Sequence, residues 1–178
     1  MIEIEEIIKI NFERDFFLGE GSLTTIKNIE HQIDLFSNKY PNYTDQVSHS
    51  LNEAFPIAKI EAWTHFFRQD RSVRFMIEID ERERYVLQVS IFEYFCVYRR
   101  SCAFDGEKYS YGKTEFINKG EHLFTDLLYR CIPNYDKFPW VDKGTLKEIV
   151  PTLSILNEDE KLSFPITVAD ALFSDHYL

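Results

Sequence analysis

Cysteine, glycine, proline and basic side chains are all scarce in this chain, and each scarcity removes a class of protein. The three cysteines, Cys96, Cys102 and Cys131, are odd in number and form no Cys-x-x-Cys. Neither a disulfide framework nor a zinc site is expected, and they read as small buried hydrophobes. Six Gly and six Pro in 178 residues leave little material for a flexible linker. Twenty Lys and Arg face 30 Asp and Glu, a net charge of −10. Such a surface repels phosphate backbones and anionic lipid, which speaks against nucleic-acid and membrane partners and favours basic ones. No apolar run approaches the ~20 residues of a membrane span. The start, Met1-Ile-Glu-Ile-Glu-Glu6, lacks the basic and apolar regions of a signal peptide, so the expected location is cytoplasmic.

What is present is apolar bulk: 44% hydrophobic and 16% aromatic residues in 178. Surface scaling gives roughly 9,000 Å² exposed when folded against roughly 31,000 Å² unfolded, enough burial for one core. A single globular domain over 1–178 is expected.

Residues 2–12 alternate loosely and fit a strand or a short helix equally well. After Gly19-Glu-Gly21, Ser22 is a natural N-cap. Ile26, Ile29, Ile33, Phe36 and Tyr40 then follow at helical spacing until Pro41. A second helix is expected from Thr44 or Asp45, with Val47, Leu51 and Ala54 or Phe55 inward, ending at Pro56. From 57 to 118 the period becomes two, predicting an antiparallel meander of four or five strands. Val73, Phe75, Ile77 and Ile79 alternate with Arg74, Met76, Glu78 and Asp80. A long central strand is then expected over 85–98, with Tyr85, Leu87, Val89, Ile91, Phe95 and Val97 on one face. The segment 80–84 and the pair Asp105-Gly106 are the expected turns. The remainder, 120–178, is expected to be helical: Glu121 to Ile132, Thr145 to Val150, and Thr167 to Phe173 with Thr167 as N-cap. Asn157-Glu-Asp-Glu160 separates the last two. The fold class expected is α+β, a meander flanked by N-terminal and C-terminal helices.

Charge is uneven. Residues 1–56 carry 10 acidic and 4 basic side chains, 57–118 carry 10 and 10, and 119–178 carry 10 and 6. The arginines of the sheet region, Arg68, Arg71, Arg74, Arg82, Arg84, Arg99 and Arg100, are interleaved with carboxylates and read as cross-strand pairs on a solvated face.

Motifs for chemistry fail on inspection. Gly106 and Gly112, ahead of Lys113-Thr114, have five residues between them where a P-loop requires four. Gly19-Glu-Gly21-Ser22 lacks the third glycine of a dinucleotide loop and reads as a helix-entry turn. The histidines, His31, His49, His65, His122 and His176, occur singly, without metal-ligand spacing. No Gly-x-Ser-x-Gly elbow occurs, and no cysteine has an evident base. Asn42-Tyr-Thr44 matches a glycosylation sequon, which a cytoplasmic chain does not use. No catalytic residue, metal or cofactor is assigned. Glu78, Asp80, Glu81 and Glu83 read as a solvated hairpin or, functionally, as an acidic hook for a basic partner.

The informative oddity is aromatic. If Ala58, Ile60, Ala62 and Phe66 point into the core, Trp63, His65 and Phe67 fall on the second sheet face, joined there by Phe92, Tyr94 and Tyr98. That face is either covered by the C-terminal segment or open as a protein interface or ligand cup. The profile suits an acidic binding protein that occludes a basic partner, most simply an immunity or antitoxin-like inhibitor of a bacterial toxin. Its expected binding residues are Trp63, His65, Phe67, Phe92, Tyr94, Tyr98, Asp80, Glu81 and Glu83. Two alternatives stand beside it. One is a small cup enzyme or ligand-binding domain, with Trp63, Tyr94 and Glu61 around His65 as base; the other is a secretion chaperone for an effector. A homodimer is left open.

Overall fold

Residues 4–12, 15–16, 23–63, 71–79, 83–104, 109–121, 123–156 and 163–173 are described by a computed structural model. The ambiguous first segment is a helix, α1 (Ile4–Asn11), with Glu5 and Glu6 in its first turn and Lys9 in its last. Those charges complement the helix dipole. Ile8 and Phe12, four apart, are both buried. A two-residue strand, β1 (Asp15–Phe16), follows.

Helix α2 (Leu23–Lys39) takes the expected stripe, with Ile29 and Phe36 buried and Ile33 and Tyr40 packed beside them. Helix α3 (Tyr43–Ala54) begins at Tyr43 because Asn42 adopts the left-handed conformation, φ 56°, which Asn tolerates better than most residues. Val47 and Leu51 face inward and are fully buried.

The meander has five strands in sequence order: β2 (Lys59–Trp63), β3 (Ser72–Glu78), β4 (Glu83–Ser90), β5 (Phe95–Phe104) and β6 (Tyr109–Ile117). All neighbours are antiparallel, and Ala62, Phe75, Leu87, Val97 and Ile117 form one row across the sheet. This face meets the helices. Phe95 stacks on Tyr129 at 4.7 Å and meets Trp140 edge-on at 4.8 Å. Leu87 is wholly buried here, and truncating such a residue to Ala costs about 2–5 kcal/mol.

The opposite row is Glu61, Met76, Val86, Tyr98 and Phe116. On that side Ser72, Arg74, Gln88, Ser90, Cys96, Tyr98 and Phe116 are buried, so the second face is covered over its centre, while Arg100 is exposed. The cross-strand reading of the arginines holds in part, although the Arg84–Glu78 pair is largely buried rather than solvated. Arg99–Glu115 at 2.6 Å and Arg84–Glu78 at 3.3 Å are cross-strand pairs, whereas Arg71 and Arg74 lie inside.

Two expectations are corrected. The long strand over 85–98 is a hairpin: β4 ends at Ser90, residues 91–94 turn, and β5 starts at Phe95. The C-terminal third is not all helix. It holds α4 (Leu123–Arg130), α5 (Lys143–Leu146) and α6 (Val168–Leu172), but also β7 (Ile149–Leu156) and β8 (Ser163–Thr167). Where a helix was expected to run to Val150, α5 stops at Leu146 and Ile149-Val150 open β7. The β-branched run Ile149-Val150-Pro151-Thr152 favours extension, and Pro151 excludes a helix interior. These strands form a second sheet, β1-β7-β8, with β1 parallel to β7. Thr167 does cap α6, in a reciprocal capping box with Asp170. Of the expected turn at 80–84, Glu83 and Arg84 belong to β4, while 80–82 and the expected turns at 105–106 and 157–160 lie outside the described residues. Among the described residues, no helix is long and apolar enough to cross a membrane.

A groove at the β4–β5 hairpin

The β4–β5 connection is held by a defined set of hydrogen bonds. Ser90 N donates to Tyr94 O at 2.8 Å and Glu93 N to Ser90 O at 3.0 Å. This is the pattern of a three-residue hairpin loop whose third residue is left-handed, a place ordinarily filled by Gly. Here it is Glu93, at φ 64°. A non-glycine side chain in that region costs roughly 1–2 kcal/mol. The Glu93 carboxylate forms an ion pair with Lys39 at the end of α2, and that bond raises the lysine pKa.

The base of the hairpin is anchored from below. Ile91 N donates to Arg71 O at 2.9 Å, and Phe92 N donates to Ser90 Oγ at 3.2 Å. Ser90 Oγ in turn donates to Leu172 O. Phe92 meets Phe12 with ring centroids 6.3 Å apart. On the other side, Phe95 N donates to Pro139 O at 3.1 Å and Val141 N to Phe95 O at 2.9 Å. The 139–141 segment is thereby laid along the start of β5.

These anchors leave an open groove of about 410 Å³ above the hairpin. Helix α1 gives Ile7, Ile10 and Asn11, and α2 gives Gln32. The turn gives Ile91, Phe92, Glu93 and Tyr94, and the far lip is Lys137 and Pro139. Ile10 is 58% exposed at the rim. Asn11 is only 4% exposed; its Nδ2 donates to Ile7 O at 2.9 Å, while its Oδ1 has no hydrogen-bond partner. Burial raises the pKa of Tyr94, so its hydroxyl is neutral at physiological pH.

A second groove of about 540 Å³ lies along the other side of α1. It is walled by Ile4, Ile8 and Phe12 facing Ile149, Val150, Pro151 and Val168, with Glu5, Lys9, Thr145 and Glu148 around them.

Of the residues expected to bind a partner, Phe92 and Tyr94 meet in the first groove. They belong to the turn rather than to a strand face. Tyr98 is buried against Phe116, edge-on at 6.0 Å, on the covered side of the sheet. Trp63 ends the edge strand β2 in register with Arg74, and Glu83 opens β4 in register with Ser101. His65, Phe67, Asp80 and Glu81 lie outside the described residues. Glu61, the carboxylate of the cup alternative, is in register with Met76 on β2 and bonded to Lys59.

Sequence reasoning missed Asn11, Gln32 and Glu93. The absence of Gly, Asn or Pro from Ser90–Tyr94 conceals the turn, although Glu93 breaks the apolar row between Ile91 and Phe95. Burial holds the Cys96 pKa well above its ordinary value, against the opposing pull of Arg74, and raises that of Cys131. Both are thiols at neutral pH. Among the described residues no group of three or more His, Cys, Asp or Glu is placed to hold a metal. Comparison with protein-family models, with curated proteins and with solved structures returns no match for the chain.

Proposed function

We propose that the chain is an acidic binding protein that neutralises a basic protein partner by occlusion, in the manner of an immunity or antitoxin-like inhibitor of a bacterial toxin. The observation that carries this reading is the groove at the β4–β5 hairpin, walled by α1 and α2 from the most acidic part of the sequence. Of the carboxylates on α1, α2 and α3, Glu5, Glu6, Glu30, Asp34, Asp45 and Glu53 are exposed. A surface of one sign speeds association with a partner of the other and rejects like-charged competitors. The groove itself carries one charge of each sign, Glu93 and Lys137, among apolar and aromatic side chains, which are the kind of desolvated anchor that holds most of the affinity at an interface.

The test is affinity capture of the tagged chain at low and high salt, with mass spectrometry of what is retained. A stoichiometric basic protein, released as salt rises and inhibited when bound, supports the reading. Retention of no protein at either salt overturns it, and a small ligand in the groove then becomes the working alternative. That groove lies within the volume range of small-molecule sites, about 300–1,000 Å³.

A further inference from the structure

We propose that the groove at the β4–β5 hairpin is a receptor for an arginine side chain of the basic partner, with Asn11 Oδ1 and the Glu93 carboxylate as its acceptors. The proposal rests on the partner reading above and names what that partner inserts.

Asn11 supplies the first argument. Its amide nitrogen is committed to Ile7 O at 2.9 Å, which fixes the orientation of the side chain and leaves Oδ1 as an acceptor. Asn11 lines the groove, and that oxygen is without a partner and shielded from solvent in the free chain, so a donor reaches it as the wall side chains shift. Buried polar atoms are almost always bonded, so an orphan acceptor in the wall of a groove calls for a donor brought from outside. A carboxylate or phosphate offers none.

The second argument is Glu93. Glycine suits its left-handed backbone better, yet the position carries a carboxylate that lines the groove and already holds a cation through Lys39. Strain retained at a residue that lines a groove points to a use for its side chain. Lys39 is 56% exposed at that bond, so an incoming cation shares the carboxylate or displaces it at small cost.

The third argument is the shape of the walls. Ile7, Ile10, Ile91, Phe92 and Tyr94 offer apolar and aromatic surface suited to a long methylene stem and a planar, weakly hydrated cation. Guanidinium has five donors in a fixed fork and stacks on aromatic faces, whereas a compact ammonium holds its water more strongly. Lys137 at the far lip directs the cation toward the Glu93 side.

The test uses n-butylguanidinium, with neutral n-butylurea as its isostere. Both are titrated into the full chain while the Asn11 side-chain amide and the Phe92 and Glu93 backbone amides are followed by NMR. Saturable shifts at these groups are expected, with the cation binding at least about ten-fold more tightly than the urea. Glu93→Gly, which suits the backbone, is expected to abolish the response with the thermal midpoint retained. Equal binding of the two probes, shifts confined to other sites, or no shifts overturn the proposal. Absence of the guanidinium response alongside salt-sensitive capture of a basic protein overturns the groove assignment alone. A guanidinium response with no captured protein overturns the partner reading and leaves a cation site.

Discussion

Arg71 Nε donates to the Ala171 carbonyl at 2.9 Å, joining residues 100 positions apart. The same guanidinium reaches Asp170 O, and Arg71 N donates to Phe173 O at 2.8 Å. An arginine only 1% exposed thus satisfies carbonyls at the end of α6, where a helix leaves acceptors unbonded and favours positive charge. It is also held 5.4 Å from the Phe12 ring, so the hairpin, α1 and α6 share one anchor.

Arg71→Ala is expected to cost about 3–5 kcal/mol, because it strands several buried carbonyls at once. Arg71→Lys recovers only part, since an ammonium lacks the planar fork. Denaturant midpoints check the ranking. Hydrogen exchange is expected to quicken first at 168–173, and equal stability of the two variants would refute the fork argument.

Tyr43 makes the opposite case. Its ring is buried among Phe36, Tyr40 and Phe138, with no hydrogen-bond partner for the hydroxyl. Tyr43→Phe is expected to be neutral or to stabilise by up to about 1 kcal/mol, while Tyr43→Ala costs about 3–5 kcal/mol. Thermal melts at pH 7 distinguish the three proteins.

The same tyrosine shapes the alkaline limb. Desolvation first, and Tyr40 second, push its pKa far above the ordinary value; burial also raises Tyr40, Tyr94 and Tyr129. The unfolded chain therefore loses these protons first. Stability is full below about pH 10 and falls as pH climbs beyond it. Tyr43→Phe is expected to flatten that fall, and an unchanged slope would show that other groups govern it.

At the acid end, Asp142 caps α5, its Oδ1 accepting from Gly144 N at 2.8 Å and Thr145 N at 3.1 Å. The Thr145 backbone bond leads the effects that depress its pKa. A depressed folded pKa contributes stability above the ordinary carboxylate range that is lost as pH falls below about 4. Asp142→Asn retains the cap at neutral pH and removes this dependence, whereas Asp142→Ala costs about 1 kcal/mol at pH 7 and less at pH 3, where the protonated wild-type cap is itself weakened. Urea titrations at pH 7 and pH 3 test both.

Glu93→Gly separates folding from recognition. Relief of the left-handed strain, roughly 1–2 kcal/mol, outweighs an exposed ion pair of about 0–1 kcal/mol. The melting temperature is expected to hold or rise while partner affinity falls about ten-fold. Unchanged affinity with a higher melting temperature would mark Glu93 as a structural accident.

How much of this was legible depended on whether local chemistry and tertiary context agreed. Helix α2 was readable because Ile29 and Phe36 sit seven apart on the buried stripe, and Thr167 because its cap is a local bond. The hairpin at Ile91–Tyr94 was not, since its left-handed residue is a glutamate rather than a glycine and apolar residues resume in phase on both sides of it. The β7–β8 pair carried a local signal in Ile149-Val150-Pro151-Thr152 that a helical reading overrode, whereas the pairing of β1 with β7 joins opposite ends of the chain and had none. Burial of Arg71 was illegible for the same reason: its acceptors belong to α6. The candidate site suffered most, as Asn11 acquires its role only when its own helix takes the amide nitrogen and the hairpin closes beside it.

The pairing of Asp15 with Ser154 and Phe16 with Ile155 imposes a timetable on biosynthesis. A ribosome adds about 5–20 residues each second, so β1 waits several seconds for β7 to emerge. The meander, whose strands pair with their sequence neighbours, meets no such delay. Among the paired segments the earliest strand made is thus seated among the last, and a nascent chain paused before residue 149 carries its meander complete but β1 without its partner.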